Sequence, residues 1–130
     1  LIYLDKNYKY LNYRINQHPL NKYYIYQTDT CIFIFKKFGN ELQILDFFGQ
    51  DDLKLYSKLP LVASYLSKKL KCDHVTSWIP KKHPLNKYVK TTKNLPYSSH
   101  FIVKSLNSKF KIQTSKINNW YYSMIDSDVF

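Results

Sequence analysis

The sequence predicts an α+β domain, a mixed and mainly antiparallel sheet flanked by helices. Three observations lead there. Apolar and aromatic residues alternate in three runs between 23 and 48, separated by turn-forming residues. Between 53 and 70 the apolar spacing changes to steps of four and three, which is helical. Short strand-like runs then return at 73–79, 100–106 and 119–125. A chain of 130 residues makes one domain spanning 1–130, and 45% hydrophobic residues exclude wholesale disorder.

The elements follow in order. In DKNYKYLNYRINQ, residues 5–17, Tyr8, Leu11 and Ile15 fall on one helical face, with Asp5 placed to cap the first turn and Pro19 beyond the last. From Tyr23 to Phe38 two strands are joined by the turn QTDT at 27–30, and Gly39-Asn40 turns the chain into a third, ELQILDFF at 41–48. These three form an antiparallel meander. Asp51 and Asp52 open a helix on which Leu55, Leu59, Val62, Leu66 and Leu70 recur on one face. Pro60 lies inside it and predicts a kink or restart, because proline lacks the N–H and crowds the preceding turn. DHVTSWI at 73–79 is a short strand, and the strand–helix–strand order predicts a right-handed parallel crossover. Residues 80–99, with Pro80, Pro84 and Pro96, are loop with room for one helical turn; HFIVKSL at 100–106 and NWYYSMI at 119–125 close the chain as two antiparallel strands. Trp78 and Trp120 fall within predicted strands and are assigned to the core rather than to a stacking platform.

The hexapeptide HPLNKY occurs at 18–23 and again at 83–88. A duplicated unit would repeat the surrounding apolar pattern as well. The first copy runs into YIYQTDTCIFIF and the second into polar VKTTKNLPYSSH, so the two places are read as structurally unrelated.

The formal net charge is +11, but every basic residue except Arg14 is lysine and the lysines are dispersed from Lys6 to Lys116. The bidentate forks that read bases and grip phosphates are nearly absent, so a solvated basic surface is favoured over nucleic-acid binding. A lysine-rich nucleic-acid binder with tyrosines for stacking stays as a third reading. The apolar run CIFIF is far too short to cross a bilayer, and no secretory signal is present, though the chain begins at Leu1 rather than Met. Cys31 and Cys72 have no metal-ligand spacing and fit a reducing cytoplasm. An edge strand at 23–28 would seek a partner, which makes a homodimer the expected association.

Residues 10–23 (YLNYRINQHPLNKY), 42–48 (LQILDFF), 73–80 (DHVTSWIP) and 119–130 (NWYYSMIDSDVF) together resemble acetyltransferase-like proteins of bacterial surface-sugar and polysaccharide gene clusters. The element order is similar to that of the GNAT superfamily of N-acetyltransferases from its second helix onward, lacking the first strand and helix. The resemblance covers nearly the whole chain and is to the C-terminal part of such proteins, which implies a longer parent chain.

The resemblance implies transfer of an acetyl group from acetyl-CoA to an amino sugar. It places the pyrophosphate of the cofactor at the start of the helix after the third strand, within FFGQDDLKLYSKL at 47–59, where Phe48, Gly49 and Lys54 would meet it. This stretch departs from the family's glycine-rich loop: Gly49 is its one glycine, and Asp51 and Asp52 would themselves cap the helix amides and repel phosphate. Acetyl transfer needs a general base and a proton donor for the thiolate. Asp46 or His83 is the candidate base and Tyr88 the candidate donor; capping of a turn for Asp46, and loop polarity for His83 and Tyr88, are their structural alternatives. His18, at a helix end, is assigned a structural role. Asp126 and Asp128 are candidates for binding a sugar hydroxyl. A non-catalytic binding or scaffold domain that keeps the sheet and has lost the cofactor site is the second reading.

Overall fold

The computed structural model describes residues 5–17, 20–80, 82–90, 109, 116 and 120–126, with the backbone alone at Asp126. Its centre is a four-stranded sheet in the order β1 (Tyr23–Gln27), β2 (Cys31–Phe38), β3 (Glu41–Gly49) and β4 (His74–Ser77). β1, β2 and β3 are antiparallel neighbours, and β4 runs parallel to β3. The mixed α+β architecture and the meander are therefore as the sequence predicts. The two inner strands carry nearly continuous apolar runs because the sheet is covered on both faces: Phe33, Ile34 and Phe35 are all fully buried.

One face is covered by α2 (Asp52–Lys69), whose Leu55, Tyr56, Leu59 and Ala63 pack on Cys31, Phe33, Phe35, Leu42, Ile44 and Phe47. α2 runs unbroken through Pro60. A proline inside a helix costs about 3 kcal/mol. Burial of Leu55 and Leu59, each contributing about 1.5–3 kcal/mol, offsets it, so the predicted kink does not become a break. The helix ends at Leu70, after which Lys71 adopts φ +55°; the Cys72 amide returns to the Ser67 carbonyl at 2.8 Å and the Lys71 amide to that of Lys68 at 3.1 Å. This is a Schellman end with lysine in the place glycine usually takes.

The opposite face holds Ile34 and Leu45 against Met124 and Ile125, with Leu11, Ile15, Tyr23, Ile32, Phe48 and Trp78 around them. Leu11 and Ile15 come from a helical segment made of α1 (Tyr8–Leu11) and one wider π turn, Asn12–Asn16. Its cap is Asn7, whose Oδ1 accepts from the Tyr10 amide, and Asp5, expected in that role, instead accepts from the Asn7 amide group at 3.3 Å. Tyr10 and Arg14 face inward, both donating to the Ile125 carbonyl (3.1 and 2.9 Å), which leaves Tyr8 about a quarter turn off that face and exposed.

The closing stretch differs from expectation. Trp120 makes a single bridge, and Met124–Asp126 form a 3-10 turn rather than the end of a strand. The cause is the two donors on the Ile125 carbonyl together with burial of Met124 and Ile125 on the sheet, contacts that a straight strand would not make with consecutive residues. The predicted strand at 100–106, His18 and Asp128 lie outside the described residues. Among those described, no helix is long and apolar enough to cross a membrane, and both cysteines are free.

The described residues of the two hexapeptide copies, 20–23 and 83–88, fold in two ways. In the second copy His83 caps a 3-10 turn, Pro84–Lys87, and Leu85 is 0% exposed in the core; in the first, Leu20 is 88% exposed and the chain enters β1. The same letters serve different contexts.

Candidate functional site

β4 pairs with β3 only from Glu41/His74 to Ile44/Ser77, while β3 runs on to Gly49. The first half of the pairing is firmly fixed. Glu41 Oε1 accepts from Thr76 and from Gln43, both at 2.7 Å, and the His74 ring lies 3.4 Å from Oε2. Burial pushes the Glu41 carboxyl up, but these bonds together outweigh it and hold the group below its ordinary range. The chemistry-bearing side chains gather along the other half of β3, where β4 has ended.

A β-bulge creates this arrangement. Ile34 pairs with Asp46 and Phe35 with Ile44, so Leu45 is an extra residue in β3. With unbroken alternation Asp46 would share the helix-covered side of Leu42 and Ile44. The bulge instead puts Phe47 on that side and turns Asp46 toward Lys6, whose ammonium also lies over the Phe48 and Tyr121 rings at 5.9 and 5.4 Å.

Asp46 is 0% exposed. Its Oδ2 accepts from Lys6 Nζ at 2.5 Å, and its Oδ1 from the Phe47 amide at 2.8 Å and the Tyr121 hydroxyl at 3.3 Å; Lys6 also donates to Ser123 Oγ at 2.9 Å. Burial raises the Asp46 carboxyl above its ordinary range, against the pull of Lys6, the Phe47 amide and Ser123. The carboxylate is thus the anchor of a buried polar cluster that ties the N-terminal segment to residues 121–123.

Tyr121 links this cluster to His83, their rings 5.5 Å apart. The His83 ring also meets Phe47 and Tyr56 edge-on at 5.8 and 5.4 Å, and Tyr56 packs on Tyr88 at 5.9 Å. The three residues proposed for catalysis from sequence, Asp46, His83 and Tyr88, are therefore brought together through Tyr121 and Tyr56. Their environments differ. Asp46 is sealed from solvent, Tyr88 is exposed, and His83 is half-buried.

His83 Nδ1 accepts from the Leu85 amide at 3.1 Å. In the neutral ring the proton must then be on Nε2, which makes that nitrogen a donor. Burial pushes His83 below its ordinary value, with the Asp52 charge opposing, so the neutral form is favoured. The geometry suits His83 to donate from Nε2 rather than to take a proton. Tyr56 is held protonated as well: burial first, then the charge of Asp52 and a hydrogen bond to it, then Tyr88, raise its hydroxyl. Tyr56 and Asp52, four apart on the first turns of α2, are further members of the site; the sequence reading took Asp52 as a helix cap and did not single out Tyr56.

The proposed cofactor residues have other engagements. Asp51 caps α2, its Oδ1 accepting from the amides of Leu53 and Lys54 at 3.0 and 3.2 Å, and Lys54 Nζ lies 3.9 Å from Asp51 Oδ2. Phe48 packs in the second core cluster. A Cβ on Gly49 would come within 3.1 Å of the Thr30 carbonyl oxygen, 3.2 Å of Leu55 and 3.3 Å of Cys31 Sγ, so close packing alone accounts for this glycine. The start of α2 does not fit a pyrophosphate: the amides that would cradle it are taken by a carboxylate of the chain itself. Asp126 is placed by its backbone in the 3-10 turn, and Asp128 lies outside the described residues. Among the described residues no group of three or more His, Cys, Asp or Glu could hold a metal ion.

Neither a protein-family model, nor a curated protein, nor a solved structure matches the chain.

Proposed function

We propose that the chain is an acetyltransferase-like domain of the GNAT type, with its working end on the C-terminal half of β3 and an amino sugar as acceptor, as its sequence resemblance implies. The observation that carries this reading is the parting of β4 from β3 after Ile44/Ser77, where Tyr56, His83 and Tyr88 gather beside the first turns of α2. Meander, helix and parallel strand in this order also support it. In this proposal exposed Tyr88 protonates the leaving group and regains its proton from solvent, which takes the proton lost by the acceptor amine; Tyr56 stays protonated beside it, His83 Nε2 orients an acceptor oxygen, and buried Asp46 positions Tyr121 behind His83.

The second reading, a binding or scaffold domain without catalysis, is favoured by the Asp51 carboxylate on the amides of α2. Thermal unfolding with and without excess acetyl-CoA, on wild type and Asp51→Ala, separates the two. Removal of the cap costs about 1 kcal/mol in the absence of ligand. Ligand at a hundredfold over its dissociation constant adds about 2.7 kcal/mol, a rise of several degrees. A rise in wild type supports acetyl-CoA binding, and a rise of the same size in Asp51→Ala supports phosphate contacts other than the amides of α2. No rise in either protein overturns the acetyltransferase reading and leaves the scaffold.

A further inference from the structure

The side of α2 turned away from the sheet carries charge of one sign. At about 100° per residue, Lys54, Lys58, Leu61, Tyr65, Lys68 and Lys69 share an arc of about 100° on the side away from buried Leu55, Tyr56, Leu59 and Ala63. Leu61 is 70% and Tyr65 59% exposed, so the middle of this face is apolar. Lys54, Lys68 and Lys69 are exposed as well, and Lys58 is half-buried. The one acid of the helix, Asp52, lies outside the arc, on the side of Tyr56 and His83.

Helix stability does not account for this pattern. Lys68 and Lys69 stand in the last turn, where the helix dipole favours cations. Lys54 stands in the first turn, where the dipole opposes one, and Lys58 follows four residues later, a like-charge spacing that weakens a helix. Lys54 has the Asp51 carboxylate at 3.9 Å, but Lys58, Lys68 and Lys69 have no carboxylate paired to them among the described residues. Lys69 Nζ lies over the Tyr65 ring at 5.9 Å, which sets a cation beside the apolar centre.

Charge and chemistry choose between the partners that fit a cationic face with an apolar middle. A second copy laid face to face would bring lysines against lysines. A nucleic acid is gripped by arginine forks and stacking rings, and this face has no arginine and one ring, already beneath Lys69. An anionic lipid surface suits both parts. Headgroup phosphates take the ammonium groups at the ends of their flexible stems, while Leu61 and Tyr65 enter the boundary between headgroups and acyl chains.

We propose that this face of α2 is a docking surface for an anionic membrane, on which the chain lies without spanning it. The surface goes beyond the acetyltransferase-like reading and uses none of the residues of the Tyr56–His83–Tyr88 cluster.

The test is co-sedimentation of the whole chain with vesicles of mixed phosphatidylglycerol and phosphatidylcholine, and with phosphatidylcholine alone, at low and high salt. The variant Lys58→Gln/Lys68→Gln/Lys69→Gln is set against Lys9→Gln/Lys22→Gln/Lys90→Gln, which removes equal charge from exposed positions elsewhere. A third variant, Leu61→Gln/Tyr65→Gln, removes the apolar centre, and circular dichroism checks that all three are folded. The expected result is salt-sensitive binding to the anionic vesicles that weakens about fivefold for each lysine lost from α2, or about a hundredfold in the triple variant. The control should bind as wild type does, and Leu61→Gln/Tyr65→Gln should bind at least about tenfold more weakly. No binding to anionic vesicles, equal binding to neutral ones, or equal weakening in both lysine variants overturns the proposal. So does full binding by Leu61→Gln/Tyr65→Gln, or retention on DNA by a chain that does not sediment with vesicles.

Discussion

Replacing Lys6 by Met tests whether the buried ion pair is what holds the two ends of the described chain on the sheet. Lys6 and Asp46 are 6% and 0% exposed at their side chains, so removal of the ammonium leaves a carboxylate with the Phe47 amide, the Tyr121 hydroxyl and Ser123 but, among the described residues, no counter-charge. Orphaning a buried charge in this way costs about 3–5 kcal/mol. The carboxyl has one escape, which is to take a proton. Keeping it neutral at pH 7 costs about 1.4 kcal/mol for each pH unit above its ordinary value of 3.8, or about 4 kcal/mol in all.

The sign of the pH dependence follows. A carboxyl whose folded pKa lies above its unfolded one favours folding while it is protonated, and that contribution is lost as pH rises through the folded pKa. Burial already raises Asp46 in the wild type, and loss of Lys6 removes the strongest force opposing it. Urea unfolding should therefore show a penalty for Lys6→Met of about 4 kcal/mol at pH 7, falling to about 1.6 kcal/mol at pH 5. Because a penalty of that size approaches the whole stability of a small domain, Lys6→Met/Asp46→Asn supplies the control, and it should recover most of the loss at pH 7. A penalty below about 1 kcal/mol, or one that does not change between pH 7 and pH 5, would refute the account of a sealed, charge-dependent cluster.

Two further outcomes are expected. Lys71 holds a left-handed conformation at the end of α2, where a side chain costs about 1 kcal/mol, so Lys71→Gly should raise the midpoint of thermal unfolding by a few degrees. His83 should show the Nε2–H tautomer in long-range nitrogen–proton NMR spectra; because its folded pKa is depressed, its contribution to stability is complete above about pH 6.5 and is lost as pH falls below that value, a slope that His83→Asn should remove while keeping an acceptor for the Leu85 amide.

The sheet was legible because its signals are local: β-branched and aromatic residues in each run, a turn at 27–30, and Gly39 at φ +59° between β2 and β3. The parity of Asp46 was not legible. Strict alternation places it beneath α2, and nothing in LQILDFF marks Leu45 as the extra residue. Its register depends on how β3 pairs with β2. Lys6 carried no signal either, being one lysine among many, and the choice between Asp5 and Asn7 as cap is settled by one residue of helix phase. The capping conflict at Asp51 could be read in advance, since an N-cap carboxylate is a property of the helix start alone. The 3-10 turn at Met124–Asp126 could not, since the Tyr10 and Arg14 donors that hold it come from more than a hundred residues away in sequence.

The magnitudes at the start of α2 oppose an anionic ligand. At α2, a phosphate must displace the Asp51 cap, a loss of about 1 kcal/mol, and must then approach two aspartates, each opposing it by about 1 kcal/mol at 4 Å even in water. The helix end returns only about 0.3–2 kcal/mol. At the α2 end the acids are matched within the chain, Asp46 by Lys6 and Asp51 by two amides. A phosphate-bearing ligand that reaches the Tyr56–His83–Tyr88 cluster therefore has to be held by contacts other than the amides of α2.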